Sequence, residues 1–519
     1  MKTNNTATIA RNSSWQTAYS IFQLAMGTTV AIAMARVIGP KNLAYFAYVM
    51  WLTSITGSIG SLGLPNLLAK YMAEYVGRND LGMARAIFSY TLLRHGALAL
   101  LITALSMIVI VVFGDPTHRT VAAIQILTIF PNMMISIPSW ANNAREDVRS
   151  NSIACYIGDS VEFAGVGLSL ILGYGLPAIA ASMLLARLVE LTLKMTPVLS
   201  WVRSMPIAEL PLELKRRMVA FSLRSTVLLI LNIVVWDRSD VIFLKMLASA
   251  PEQISFFTVT FGLVEKVLMV PRGIISMIGV TMFAQYGRDK SRLLPMTATA
   301  VRYALLMSIP CFLGVACLAS PLIRLAYGAA YIPAIPVLVA ATLLAIPKPL
   351  TAPAYGLLQA HERQGFIITW SLVCGALNVV LDIVLIPKMG ALGAAIANGS
   401  AQAVATFGIW AYLLRHYEVD LDVANLREIV FCSLAIVATA WPLGHFLPPV
   451  IAVAVAVPVG AFSFFLMLRL RRVITPEDRK RLVGLDHMLP ARLRSLYMGA
   501  IDFVAPRRPP LAESSTSAG

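Results

Sequence analysis

The chain has 519 residues, of which 58% are hydrophobic and only 13% charged, with a formal net charge of +16 and a mean hydropathy of +0.74. That composition excludes an ordinary soluble domain and a disordered chain. Apolar runs of about 20 residues, each long enough to cross a bilayer as a helix, stand in place of the short alternating segments of a β-barrel, and no cleavable signal peptide is evident because the first run leads directly into others.

A short N-terminal tail, 1–14, precedes six predicted helices near 15–37, 43–64, 86–113, 119–141, 152–172 and 176–199, which make an N-lobe over 15–201. A basic linker, 202–218, leads to six more near 219–237, 255–283, 296–319, 334–359, 366–386 and 391–414, a C-lobe over 219–415. Two further helices, near 428–447 and 449–470, fill 428–470, and a basic tail occupies 471–519. The predicted fold class is an all-α membrane protein of about 14 transmembrane helices.

The two lobes read as copies. Pro40-Lys41-Asn42-Leu43-Ala44-Tyr45-Phe46 and Pro251-Glu252-Gln253-Ile254-Ser255-Phe256-Phe257 share an aliphatic fourth position and aromatic sixth and seventh positions, about 211 residues apart. At a similar offset Tyr90-Thr91-Leu92-Leu93 answers Tyr303-Ala304-Leu305-Leu306, Pro131 and Pro138 answer Pro347 and Pro353, and Gly175 answers Gly390. Each copy has an even number of helices, so both enter from the same side and the repeat is parallel.

About 27 of the 42 Lys and Arg fall on one side of this topology, in both tails and the loops near 65–85, 142–151, 200–218, 284–295, 360–365 and 415–427. The positive-inside rule then puts both termini in the cytoplasm. The net positive charge thus reflects topology and contact with anionic membrane lipids rather than nucleic-acid binding. Residues 477–504 suit either an amphipathic helix on the inner leaflet or a solvated tail, and the Pro- and Ser-rich 506–519 reads as disordered.

Enzyme signatures are missing: there is no P-loop, no HExxH and no CxxC. The prediction is therefore a chain with no catalytic residues, no cofactor and no metal. Cys155, Cys311, Cys317, Cys374 and Cys432 are scattered over predicted helices, where packing is their expected role. The sequons at Asn4 and Asn12 lie on the inner side and are read as chance. Asp420-Leu421-Asp422 has the form of a glycosyltransferase DxD, yet its place before a helix favours capping.

What remains is charge at membrane depth, where a lone Arg, Lys or Asp costs roughly 2.5–3.5 kcal/mol on insertion scales and calls for a partner or a wet cavity. Arg187, Lys266, Arg272 and Lys348 are deep, while Arg94, Arg224 and Arg302 are close enough to helix ends to snorkel. Arg187, Glu190 and Lys194 are spaced as a ladder on one helix. Lys348, between Pro347 and Pro349, has no acid within one turn on its own helix and reads as an unshared cation on a kinked wall. Arg272, Lys348, Lys266, Arg224 and Arg187 are the candidate anion-binding set. Asp159 and Glu162, one turn apart, are the candidates for ion coupling, and Asp382 is a third acid at depth.

Ala35-Arg36-Val37-Ile38-Gly39-Pro40 with Tyr45-Phe46, and Ser61-Leu62-Gly63-Leu64-Pro65 with Lys70-Tyr71, resemble segments of bacterial polysaccharide and lipid-linked oligosaccharide flippases. So do Asn378 through Ile386-Pro387-Lys388 with Gly390-Ala391-Leu392-Gly393-Ala394-Ala395, Leu325-Ala326-Tyr327-Gly328 with Tyr331, and Leu470 with Thr475-Pro476-Glu477-Asp478. The chain departs from that pattern at Asp382, where an amide is more usual, and at Phe256, where Tyr is common. The family lies in the multidrug/oligosaccharidyl-lipid/polysaccharide exporter superfamily. The resemblance implies two six-helix lobes and alternating access that carries an undecaprenyl-pyrophosphate-linked oligosaccharide from the inner to the outer leaflet of the bacterial cytoplasmic membrane. A central cationic cavity for the pyrophosphate, and a polysaccharide polymerase and glycosyltransferases as neighbours in the pathway, are implied with it. Two alternatives are a multidrug antiporter of the same superfamily and a membrane glycosyltransferase or polymerase. The short predicted outer loops count against the latter.

Overall fold

In a bilayer core the backbone must satisfy its own hydrogen bonds, and helices do so within each segment. The computed structural model describes residues 4–236, 239–286, 293–361, 363–483 and 491–505, and among them it contains helices and no strands. In chain order the helices are α1 (Asn4–Gly60), α2 (Leu64–Gly77), α3 (Leu81–Phe113), α4 (Arg119–Leu127), α5 (Ile129–Ala144), α6 (Val148–Ile171), α7 (Gly175–Arg203), α8 (Leu212–Trp236), α9 (Asp240–Leu247) and α10 (Glu252–Tyr286). There follow α11 (Leu293–Cys317), α12 (Ala319–Ala326), α13 (Ala334–Leu344), α14 (Thr351–Ala360), α15 (Gln364–Met389), α16 (Ala391–His416), α17 (Val423–Phe446), α18 (Pro449–Arg471), α19 (Pro476–Val483) and α20 (Ala491–Val504). Ten helical stretches among the described residues are long and apolar enough to cross a membrane. One of them, Ser14–Gly60, takes in two of the predicted helices, joined across Gly39 at φ 74° with Pro40 beyond it. The segments predicted near 219–237, 255–283 and 391–414 are present in α8, α10 and α16 but are not among the ten.

The helices are amphipathic in the inverted sense that lipid demands. On α3, Thr91, His95, Ala99 and Thr103 recur every fourth position and are buried, while Leu100, Leu101, Leu105, Ile108, Val109 and Val112 are exposed. Thr91 and Thr103 donate to the carbonyls of Ile87 and Ala99, so neither inward hydroxyl lacks a partner.

Two compact units make up the chain, one holding Met1–Gly262, Ala326–Val337 and Ile368–Gln402, the other Leu263–Leu325, Leu338–Ile367 and Ala403–Gly519. The first is centred on Leu67, Leu68, Met72, Ile87, Ile137, Val198 and Met218, drawn from α2, α3, α5, α7 and α8. In the second, Ile309 of α11 packs with Ile429, Cys432 and Ile436 of α17 and Phe464 and Leu468 of α18.

Local features follow the predicted repeat. The Pro131/Pro138 segment breaks at Thr128, between α4 and α5, and the Pro347/Pro353 segment breaks into a short 3₁₀ turn at Lys348–Leu350. Gly175 and Gly390 both take left-handed backbone, φ 74° and 56°, at the entry to α7 and α16. At Gly390 a Cβ would also lie 2.5 Å from Gln253 Oε1, so an alanine displaces that side chain, which accepts the Ala391 N–H at 2.8 Å and caps α16.

Asp422 is a helix cap, its carboxylate accepting the Asn425 N–H at 2.9 Å, in line with the capping reading of the DxD. The five cysteines are free. The described part of the tail packs onto its own unit: Phe503 of α20 stacks on Phe462, 6.0 Å between centroids, beneath Arg469. Asp478 anchors α19. It accepts from both terminal nitrogens of Arg302 at 3.2 and 2.6 Å, from Tyr303 at 2.6 Å and from the Thr475 hydroxyl at 2.7 Å. Burial works against the Asp478 charge, but the hydrogen bonds from Tyr303 and Thr475 and the nearby Arg302 outweigh it and hold its pKa below the ordinary carboxylate value.

Two outcomes follow from these contacts. Gly390→Ala lowers thermal stability in detergent more than Gly173→Ala does. Gly173 also has positive φ, 70°, but open space around it, so it carries only the conformational cost of about 1–2 kcal/mol; equal melting-temperature losses would contradict the clash. The second concerns Asp478, whose depressed pKa stabilises the charged, docked form above about pH 4 and loses that stabilisation as pH falls through the folded value. The melting-temperature advantage of the native chain over Asp478→Asn is therefore full at pH 7 and shrinks below about pH 4. A constant difference would show that the charge is not what holds the tail.

Candidate functional site

The charges predicted at depth fall into separate groups. In the first unit, α7 carries the expected ladder: Arg187 Nη1 donates to Glu190 Oε2 at 2.6 Å, and Lys194 Nζ to Glu190 Oε1 at 2.8 Å. From α6, Asp159 and Glu162 close on the same guanidinium, Asp159 at 3.4 Å. Tyr19 of α1 donates to Asp159 at 2.9 Å, and Lys194 also reaches the Ser139 hydroxyl at 3.1 Å. Three carboxylates thus face two cations. Arg187 is shared among all three acids, which outnumber the two cations by one.

In the second unit, Lys348 sits on the 3₁₀ turn that interrupts its helix, and its ammonium is 2.9 Å from Glu265 Oε1 of α10, with side chains 11% and 27% exposed. This corrects the unshared-cation expectation. The acid comes from another helix 83 residues away, beyond the reach of a one-turn search. Lys266 follows Glu265 on α10 and is half-buried. Arg224 is exposed on α8. Arg272 lies on α10 outside the residues whose side chains the structure describes.

A second cluster in the first unit was mostly missed. Asp240, Asn378 and Asp382 are each fully buried, and Asn398 and Gln402 are 5% exposed. Asn378 Nδ2 lies 3.4 Å from both Asp240 Oδ1 and Asp382 Oδ2. Asn398 Nδ2 donates to Asp240 Oδ2 at 2.9 Å, and Gln402 Nε2 to Asn398 Oδ1 at 2.9 Å. Asp382 Oδ1 and Asn378 Oδ1 have no partner among the described residues. Among the described residues neither carboxylate forms an ion pair. Two acids held together by neutral amides in a water-poor interior need a positive charge, which a proton or a small cation can supply. The unpartnered oxygens are the ligands such a charge would use.

The comparisons with known proteins bear on this arrangement. The family model described as polysaccharide biosynthesis protein matches residues 33–336. The chain belongs to that family. No curated protein matches it. Among solved structures it is similar to the lipid II flippase MurJ in an inward closed conformation, at TM-score 0.70 and 15% identity, over 88% of this chain and 99% of that one. It is also similar to an inward-facing multidrug resistance MATE family transporter of the MOP superfamily, at TM-score 0.62 and 14% identity, over 78% and 95%. At such identities the likeness concerns the fold, which is that of these all-helical transporters.

The Arg187 network makes a prediction about charge balance. Glu162→Gln leaves two acids against two bases and is near neutral, whereas Arg187→Gln leaves three acids against one base and costs about 3–5 kcal/mol. Thermal unfolding of the two purified variants decides it; equal effects would mean that the count of charges does not govern this site.

Proposed function

We propose that the protein is a flippase that carries a lipid-linked oligosaccharide, built on undecaprenyl pyrophosphate, from the inner to the outer leaflet of the bacterial cytoplasmic membrane for cell-surface polysaccharide synthesis. The observation that carries this reading is membership of a polysaccharide biosynthesis family by a chain made of membrane-length helices. Sugars assembled on a lipid carrier at one face must cross before they are polymerised at the other. The two six-helix lobes predicted from the sequence repeat, 15–201 and 219–415, would supply alternating access.

Two groups divide the work. Lys348 is the cation best placed to meet a pyrophosphate, because its partner Glu265 is partly exposed and an incoming phosphate can take over the ammonium. Lys266, Arg272 and Arg224 are further candidates. The Asp240–Asp382 pair is the coupling site: among the described residues it has no cationic partner, so a proton or sodium ion entering with the gradient has an energetic reason to stop there.

The test combines export in cells with flipping of a lipid-linked oligosaccharide in proteoliposomes. Lys348→Ala abolishes both while the protein remains in the membrane. Asp382→Asn leaves flipping that no longer responds to an imposed proton or sodium gradient. Unchanged export by Lys348→Ala, or unchanged gradient dependence in Asp382→Asn, would overturn the corresponding assignment. Gradient-driven efflux of cationic drugs without any flipping would favour the multidrug antiporter instead.

A further inference from the structure

Within the first unit a cavity of about 550 Å³ opens among α1, the start of α2, α3, α4, α5 and α8. Among the described residues no carboxylate, lysine or arginine lines it. Its walls are hydroxyls and amides over an apolar floor that includes Met50, Ile129, Met133 and Leu229.

The hydrogen bonds give this polar wall a sign. Four lining hydroxyls have spent their protons on carbonyls of their own helices: Thr53 on Met50 at 2.9 Å, Ser61 on Ser58 at 2.7 Å, Thr128 on Gln125 at 2.6 Å and Ser136 on Met133 at 2.6 Å. Their oxygens are left as acceptors. His95 is fully buried and also lines the cavity; its Nε2 is 2.9 Å from the Met133 carbonyl, which can only accept, so Nε2 carries the proton. Its Nδ1 has no partner among the described residues and, in the neutral ring, carries a lone pair buried just behind the cavity wall. The side-chain amides of Asn66 and Asn132, exposed residues of the lining, have no hydrogen-bonding partner among the described residues and offer both a donor and an acceptor.

A chamber of this size, lined among the described residues by acceptors and no charged side chain, suits a ligand that brings many donors and no charge. An anion would meet lone pairs, and a cation would find no counter-charge. We propose that this chamber is a binding site for uncharged sugar residues, separate from the cationic groups proposed for the pyrophosphate. The apolar floor suits the C–H face of a pyranose ring and the hydroxyl oxygens its O–H groups. The inference rests on the transport reading for the choice of a sugar as the hydroxyl-rich ligand, and it deepens that reading by assigning the glycan a site of its own.

One stretch of the lining is held by an unusual turn. Leu62 and Gly63 both take left-handed backbone, φ 47° and 66°, and the Leu62 carbonyl accepts from the Ser222 hydroxyl of α8. A Cβ on Gly63 would lie 2.5 Å from the Ser222 carbonyl oxygen. Ser61, Pro65 and Asn66 flank this turn and line the cavity, so the lining is fixed at that end by backbone rather than by side chains alone.

The experiment is saturation-transfer NMR on the purified full-length protein, with the methyl glycosides of glucose, galactose and N-acetylglucosamine as probes and glucuronate, choline and inorganic pyrophosphate as competitors. At least one neutral glycoside binds, and Asn132→Ala or Gln125→Ala weakens it about three- to tenfold, the loss due to one or two hydrogen bonds. Should Gln125→Ala, which alters a buried residue, fail to fold, Asn132→Ala and Asn66→Ala carry the same test from exposed positions. Competition by choline or pyrophosphate, binding that these variants leave unchanged, or no binding of any neutral glycoside would overturn the proposal. Free glycosides report on the chamber whether or not a carrier lipid crosses the membrane. A protein that binds them yet fails to flip lipid-linked oligosaccharide would overturn the transport reading alone.

Discussion

The constraint on which the structure depends is that a polar group inside the bilayer must find its partner in the protein. It turns the helices inside out, as on α3, where Thr91, His95 and Thr103 face inward and leucines and valines face out. It also explains why hydroxyls so often donate to the carbonyl one turn back. Such bonds satisfy the proton locally and leave the oxygen for something else. Buried charge obeys the same demand. Glu190 is enclosed by Arg187 and Lys194, and Asp478 by Arg302, Tyr303 and Thr475.

Against that background the informative groups are those whose demand is not met. Among the described residues Asp240 and Asp382 share amides but no cation, and Asp382 Oδ1, Asn378 Oδ1 and His95 Nδ1 have no partner. The two places differ in what they lack among the described residues: the first lacks a positive charge, the second a hydrogen-bond donor. The ion and the neutral glycan proposed above are the ligands that would meet these two different demands.

The all-helical membrane class was legible from composition and run length because lipid thickness sets both. The Arg187–Glu190–Lys194 ladder was legible because its partners lie one turn apart on one helix. Lys348 was half-read: its depth and prolines were visible, but Glu265 comes from a different helix, and no local pattern announces it. Asp240 was hidden because it follows the end of an apolar run, where an acid looks like a loop residue; only the fold brings Asn378 and Asn398 to it. The chamber left almost no trace. Serines, threonines and asparagines scattered over several helices carry no charge to mark them, and the Ser61–Pro65 segment stood out only through its resemblance to a family, not through any sign of what it lines.

The placement of Asp240 has a consequence for how the chain is made. Its amide partners are 138 and 158 residues downstream, on α15 and α16. A ribosome emits α9 well before either helix exists, so the Asp240 carboxylate is made long before these amide partners can reach it. The first unit is accordingly not the first to be finished, although domains commonly fold in order of synthesis. Its assembly ends only after most of the chain is in the membrane.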